Sequence, residues 1–265
     1  MSARAWYLGC GPEDVAERAI LVGDPGRIDL FADQLDEVRT VGENRGLRIV
    51  SGSANGVAVT VCAFGMGAPI AVIVLEELAA LGVRTVVRTG TVMTLEPGAL
   101  GELVVAAAAL RGEKTSATYV PDGFPAVSDL ELLFGTLVAL ERLGESYRVG
   151  VVASFDGFYS ELFAAIPDRA PAIETRLRAL GDAGVIAVDM ETSALLAVAS
   201  RVGVRAASLC LASVDGWTHA KLEGAERTDG EARLVAAALA ALQSPSGALA
   251  AAVSDAARSP EGARR

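Results

Sequence analysis

The sequence predicts a single α/β domain, with a mostly parallel or mixed central sheet flanked by helices on both faces. Three observations point there. Short apolar runs of strand character alternate with helical patterns, as they do when crossover helices join strands of one sheet. The composition is 52% hydrophobic but only 5% aromatic, and small apolar residues dominate, which suits helices packed closely on buried strands. At 265 residues, the chain is long enough for one large core and within the range of a single α/β domain.

The elements follow in order. Ala19 to Val22 is an apolar run that breaks into Gly23-Asp24-Pro25-Gly26-Arg27. Ala58 to Phe64 reads as a second strand and passes through Gly65-Met66-Gly67 into a helix over Pro69 to Leu81, apolar all round except at Glu76 and Glu77. Thr85 to Thr89 forms a third strand whose end carries Arg88, Gly90 and Thr91. Leu103 to Ala107 is a fourth, and Ser128 and Asp129 give a capping signal for a helix running to Leu143. Arg148 to Ala153 and Val185 to Asp189 are strands, the latter leading through Met190 into an Ala/Leu/Val helix over Glu191 to Val202. Ala206 to Ala212 is the last strand, followed by Ser213-Val214-Asp215-Gly216. The domain is expected over residues 1–243, and the low-complexity segment 244–265 is expected to be a disordered tail.

The net charge of -10 argues against nucleic acid or an anionic membrane as partner, since neither is attracted to a negative surface. Cys10, Cys62 and Cys210 are odd in number, far apart and set in apolar surroundings, so reduced thiols and a cytoplasmic address are expected. The first residues show no apolar run of signal-peptide length, and no uncharged stretch reaches the roughly 18 residues that span a bilayer. With His219 as the one histidine, no metal site is expected.

Against this acidic background, two strand ends each present an arginine among glycines: Arg27 after Gly23, and Arg88 before Gly90 and Thr91. A guanidinium offers forked donors that match phosphate oxygens, and glycine lets backbone N–H groups approach the same anion. In a sheet of this kind, sites lie beyond the carboxyl ends of the strands. A small phosphate pocket is expected there.

Leu21-Val22-Gly23-Asp24-Pro25-Gly26-Arg27, Glu76-Glu77-Leu78, Asp122-Gly123-Phe124-Pro125-Ala126-Val127, Asp189-Met190-Glu191 and Ser213-Val214-Asp215-Gly216 together resemble the nucleoside phosphorylase family, in its hexameric purine nucleoside and uridine phosphorylase branch. The resemblance covers about residues 6 to 242. It implies phosphorolysis of nucleosides, purine nucleosides favoured, to free base and ribose 1-phosphate. Inorganic phosphate would be the co-substrate, with no cofactor and no metal. It also implies a homo-oligomer, from a dimer up to a trimer of dimers. Gly23, Arg27, Arg88 and Thr91 would bind phosphate, with Arg45 reaching into a neighbouring subunit's pocket. Met190, Glu191 and Met66 would face the ribose, with Tyr7 standing where the family lends a histidine to the adjacent subunit. Phe158, Tyr159 and Met93 would face the base, and Asp215 would be the acid that helps it leave, catalytic together with Arg88.

Some positions depart from the family pattern. Met93 replaces a usual glycine, Ile70 follows Pro69 where a serine is common, and no Gln/Arg pair follows Tyr159 to read uracil. Taken alone, several residues have plainer roles: Arg45 as a solvated loop charge, Glu191 as a partner of the helix dipole, Asp189 as a helix cap, Asp215 as a turn former, Phe158 and Tyr159 as core, and His219 as an exposed loop residue. Gly65-x-Gly67 lacks the third glycine of a dinucleotide fingerprint. Uridine phosphorylase, a hydrolytic nucleosidase and a nucleoside-binding homologue with weak or lost catalysis stand as alternatives.

Overall fold

The computed structural model describes residues 4–164, 166–243 and 247–258. Ten strands form one mixed sheet. Strand β1 (Arg18–Val22) pairs in parallel with β4 (Val57–Ala63) on one side and β5 (Thr85–Thr94) on the other. On the far side of β4 lie β3 (Leu47–Ala54) and the edge strand β2 (Asp36–Asn44). From β5 the sheet continues through β9 (Val185–Asp189), β8 (Tyr147–Ser154), β6 (Leu103–Arg111) and β10 (Arg205–Asp215), with the short β7 (Ala126–Val127) against β6. β10 also pairs with β5 in parallel, so five strands close into a ring on β5.

Helices cover the sheet. Apolar residues of α2 (Ala68–Leu81) and α5 (Thr192–Val202) pack in one core cluster, while α1 (Arg27–Ala32), α3 (Leu130–Leu143) and α6 (Gly224–Leu242) pack in another. A third cluster gathers α4 (Ala170–Asp182) with Met93 and Phe155. Local chemistry explains the boundaries. Asp129 caps α3 by accepting the Leu132 N–H at 2.9 Å, and Gly82, Gly144 and Gly203 close α2, α3 and α5 in the left-handed conformation.

The sequence falls short in several places. β5 does not end at Thr89 but runs to Thr94, because β10 and β9 continue its pairing after β1 stops at Val22. The β2–β3 hairpin is not evident in the pattern because β2 is an edge strand exposed along most of its length, without apolar alternation. Helices α1, α4 and α6 also go unrecognised. After Leu242, where a disordered tail is expected, helix α7 (Ala248–Arg258) lies against α3, and the Gly247 N–H donates to Glu131 at 3.1 Å. Residues 244–246 and 259–265 of that expected tail lie outside the described residues.

Candidate active site

The longer β5 changes how Arg88 is presented. It sits within the strand, one residue before β1 ends, and its side chain is buried against the start of α5. Nη2 donates to Glu191 Oε2 at 2.6 Å and lies 3.0 Å from Asp189 Oδ2, while Nη1 faces Cys210 Sγ at 2.6 Å. Burial raises the Cys210 thiol more than Arg88 lowers it, so the sulfur facing the guanidinium is a neutral thiol. Gly90 makes the arrangement possible, since a Cβ there would lie 3.0 Å from both terminal guanidinium nitrogens. Arg88 Nε is the one buried side-chain nitrogen or oxygen among the described residues that lacks a hydrogen-bond partner.

Asp189 and Glu191 share the β9–α5 junction but have different tasks. Asp189 accepts from Ser154 Oγ on one oxygen and from Thr192 Oγ1 on the other, which fixes it as a cap and as a brace for Arg88. Glu191 accepts the Gly67 N–H at 2.7 Å on Oε1 and Arg88 on Oε2. The Gly65-Met66-Gly67 turn that supplies this N–H has φ of +87° and +98° at its two glycines, conformations in which a side chain is strained.

These groups open on a cavity of about 460 Å³. Of the residues expected at the site, Gly23, Arg27, Met66, Arg88, Thr91, Met93, Phe158, Met190 and Glu191 all line it. Arg27 is the first residue of α1 rather than the tip of a turn, and it is 5% exposed. The sequence does not single out Arg227 on the first turn of α6, which also lines the cavity. Glu231, four residues on, accepts from Arg27 and from Arg227 on the same Oε1. Leu162, Phe163 and Ser213 also line the cavity without having been expected there. Nothing in the local sequence marks these residues.

Four expected residues do not line the cavity. Tyr159 is 58% exposed and meets Phe158 edge to face at 5.0 Å, and of the two rings Phe158 alone lines the cavity. Asp215 is engaged in its own turn. Its Oδ1 accepts from the Trp217 and Thr218 N–H groups and the Thr218 hydroxyl. Partial burial pushes its carboxyl upward, but these donors outweigh it and the net direction is below the ordinary value. Tied to three donors, the carboxylate braces this turn and lies outside the lining of the cavity. Arg45 and Tyr7 stand together elsewhere: Arg45 lies 5.7 Å over the Tyr7 ring at the tip of the β2–β3 hairpin, where Arg45 and Gly46 both have positive φ. Asn44 Nδ2 donates to the Tyr7 carbonyl, and Glu77 accepts the Tyr7 and Leu8 N–H groups, so hairpin and N-terminal segment form one braced unit.

Chemically, the cavity has two ends. One gathers Arg27, Arg88 and Arg227 with Asp24, Asp189 and Glu191. The other is apolar, made by Met93, Phe158, Leu162, Phe163, Val188 and Val214, with Ser213 beside them. Among the described residues no group of three or more His, Cys, Asp or Glu is placed to hold a metal ion, and no helix is long and apolar enough to cross a membrane.

Comparison with known proteins shows the family. The phosphorylase superfamily pattern matches residues 17–244. The chain is 38% identical over 204 residues to a guanosine phosphorylase of Halorubrum lacusprofundi, covering 77% of this chain and 79% of that protein. It is 35% identical over 237 residues to a uridine phosphorylase of Thermococcus kodakarensis, covering 87% and 83%. Among solved structures, a uridine phosphorylase from Vibrio fischeri complexed with 6-hydroxy-1-naphthoic acid superposes with a TM-score of 0.81 at 29% identity, over 91% of this chain and 96% of that one. A purine nucleoside phosphorylase from Toxoplasma gondii in complex with immucillin-H gives 0.82 at 25% identity, with the same coverage.

Proposed function

The chain belongs to the phosphorylase superfamily, and on that premise we propose how its cavity divides the work of a nucleoside phosphorylase. The enzyme is a pentosyltransferase that cleaves the N-glycosidic bond of a nucleoside. Arg27, Arg88, Thr91 and the backbone at Gly23 hold inorganic phosphate. Glu191 accepts the two ribose hydroxyls, with Met190 and Met66 against the sugar. Met93 and Phe158 bound the base.

The observation that carries this assignment is the convergence of Arg27 and Arg88 on one cavity, with Glu191 joining Arg88 to the turn at Gly67. Bond cleavage develops positive charge on the ribose and negative charge on the departing base. Phosphate held beside the anomeric carbon meets the first charge, and its fixed orientation turns an encounter into a positioned attack. Arg88 lines the cavity with its guanidinium held by Glu191 and Asp189, a fixed cation suited to a phosphate oxygen. For the base, the apolar end supplies stacking and shape, and Ser213 is its neighbouring side-chain hydroxyl.

The three arginines of the cavity share it with three carboxylates, so one chain offers little net positive charge to a dianion. Arg45, exposed at a braced hairpin tip away from this cavity, supports the reading that a second copy supplies the missing cation, with Tyr7 beside it. The active unit is then at least a dimer. The three cysteines are free and buried, which fits a reducing, cytoplasmic setting.

Purine nucleosides are the favoured substrates in this proposal, because no Gln/Arg pair follows Tyr159 to read uracil. Uridine is the alternative, supported by the uridine phosphorylases among the similar proteins. Base release from inosine, guanosine, adenosine and uridine, each with inorganic phosphate, tests the assignment. Turnover greatest with a purine nucleoside is expected, and turnover confined to uridine reverses the preference.

A further inference from the structure

Arg27 and Arg227 come to the cavity from elements far apart in sequence, the start of α1 and the first turn of α6. Both end on one atom. Glu231 Oε1 accepts from Arg27 Nε and Nη2 at 3.3 Å each and from Arg227 Nε at 3.3 Å. Glu231 does not itself line the cavity, whereas both arginines do. Two guanidinium groups brought onto one carboxylate oxygen repel one another, and water screens them on the Arg227 side only. Arg27 has a side chain only 6% exposed and little room to withdraw, whereas that of Arg227 is 46% exposed and has solvent to turn into.

The backbone brings Glu231 to this point by a specific packing device. A Cβ on Gly230 would lie 2.9 Å from Leu211 Cδ2, so the absent side chain lets α6 close onto β10 immediately beside Glu231. The four-residue spacing then sets Arg227 and Glu231 on one face of the helix.

We propose that Glu231 is a positioning residue which holds Arg27 and Arg227 together, aimed at the phosphate end of the cavity. The inference rests on the phosphate assignment made above and adds to it a carboxylate that touches no substrate. Glu231 has two opposed effects on an incoming anion. It orders two cations that bind phosphate, and its own charge repels phosphate. With one carboxylate oxygen shared by two arginines, the ordering effect dominates.

The sign of the change on substitution separates the two. In the full-length enzyme, E231Q keeps the shape and removes the charge. It is expected to raise the phosphate KM about tenfold, the size of a lost charge-assisted contact, while the nucleoside KM changes by less than about twofold. E231D, which restores the charge, recovers part of that loss, and thermal melting of each variant reports the fold. A phosphate KM that falls or stays constant in both E231Q and E231A overturns the proposal, as does a rise of both KM values in equal proportion. R27A, assayed alongside, separates the two layers. If R27A weakens the phosphate response and E231Q does not, the positioning role is wrong and the phosphate site stands. If R27A leaves the phosphate response intact, both fall.

Discussion

The two ends of the cavity are built on different principles. The phosphate end rests on β1, β5 and the β9–α5 junction, and inside an exposed margin of Asp24 and Arg227 its inner charged groups are buried and cross-braced: Arg88, Asp189 and Glu191 are each under a tenth exposed. The base end hangs on less regular structure. Phe158 and Leu162 belong to a single π turn, Ser213 sits at a bulge in β10, and the 215–219 turn is held by Asp215. Phe158 remains 42% exposed. π turns and bulges recur where a backbone is re-aimed for function. The contrast suggests a reaction fixed by the rigid end and a base preference set by the adaptable one.

Substitutions at the two ends should therefore differ in kind and size. The largest effect is expected from E191A, which removes the proposed ribose carboxylate and one of the two carboxylate partners of buried Arg88; a buried pair broken on one side costs about 3–5 kcal/mol. Steady-state kinetics should show kcat/KM for nucleoside falling by about a hundredfold or more, with a lowered melting temperature. G90A comes next. Its methyl group meets the Arg88 guanidinium, and a displaced donor should raise the phosphate KM about tenfold while leaving the nucleoside KM nearly constant. At the base end, M93G should alter the ratio of inosine to uridine turnover by about tenfold through pocket volume, with no change in phosphate KM. D215N should do least. The Asp215 carboxyl is held below its usual range, so it stays ionised at neutral pH, and what it adds to stability is lost only as pH falls through that lowered value. The pH–rate profile of D215N is expected to overlay that of the parent; loss of a titrating limb would return Asp215 to the chemistry.

The same contrast explains what was legible in the sequence. The rigid end announces itself locally: an apolar run, then Gly23 and Arg27, or Arg88 followed by Gly90 and Thr91, each readable within one short contiguous stretch. The Asp189-Met190-Glu191 junction is likewise contiguous. The base end depends on distant contacts. Tyr159 and Phe158 are adjacent and equally aromatic, and only the π turn decides that Phe158 faces the cavity while Tyr159 faces out. Asp215 precedes a glycine in both its catalytic and its structural guise, and only the N–H groups that surround it tell them apart. Arg227 becomes part of the site because α6 packs against β10 at Gly230, a contact no local pattern carries. The ring closed on β5 was hidden for a similar reason, since its pairings join strands far apart in the chain.

In the proposed reaction Arg27 and Arg88 gather around one phosphate, which then attacks the bound nucleoside. Phosphate titration of initial base-release rates, with the sugar product identified, tests it in the parent enzyme and in R88A. The expected result is saturable dependence on phosphate, ribose 1-phosphate formed in step with free base, and a loss of about a hundredfold or more in kcat/KM for phosphate in R88A. Base release at full rate without phosphate, giving free ribose, would contradict it.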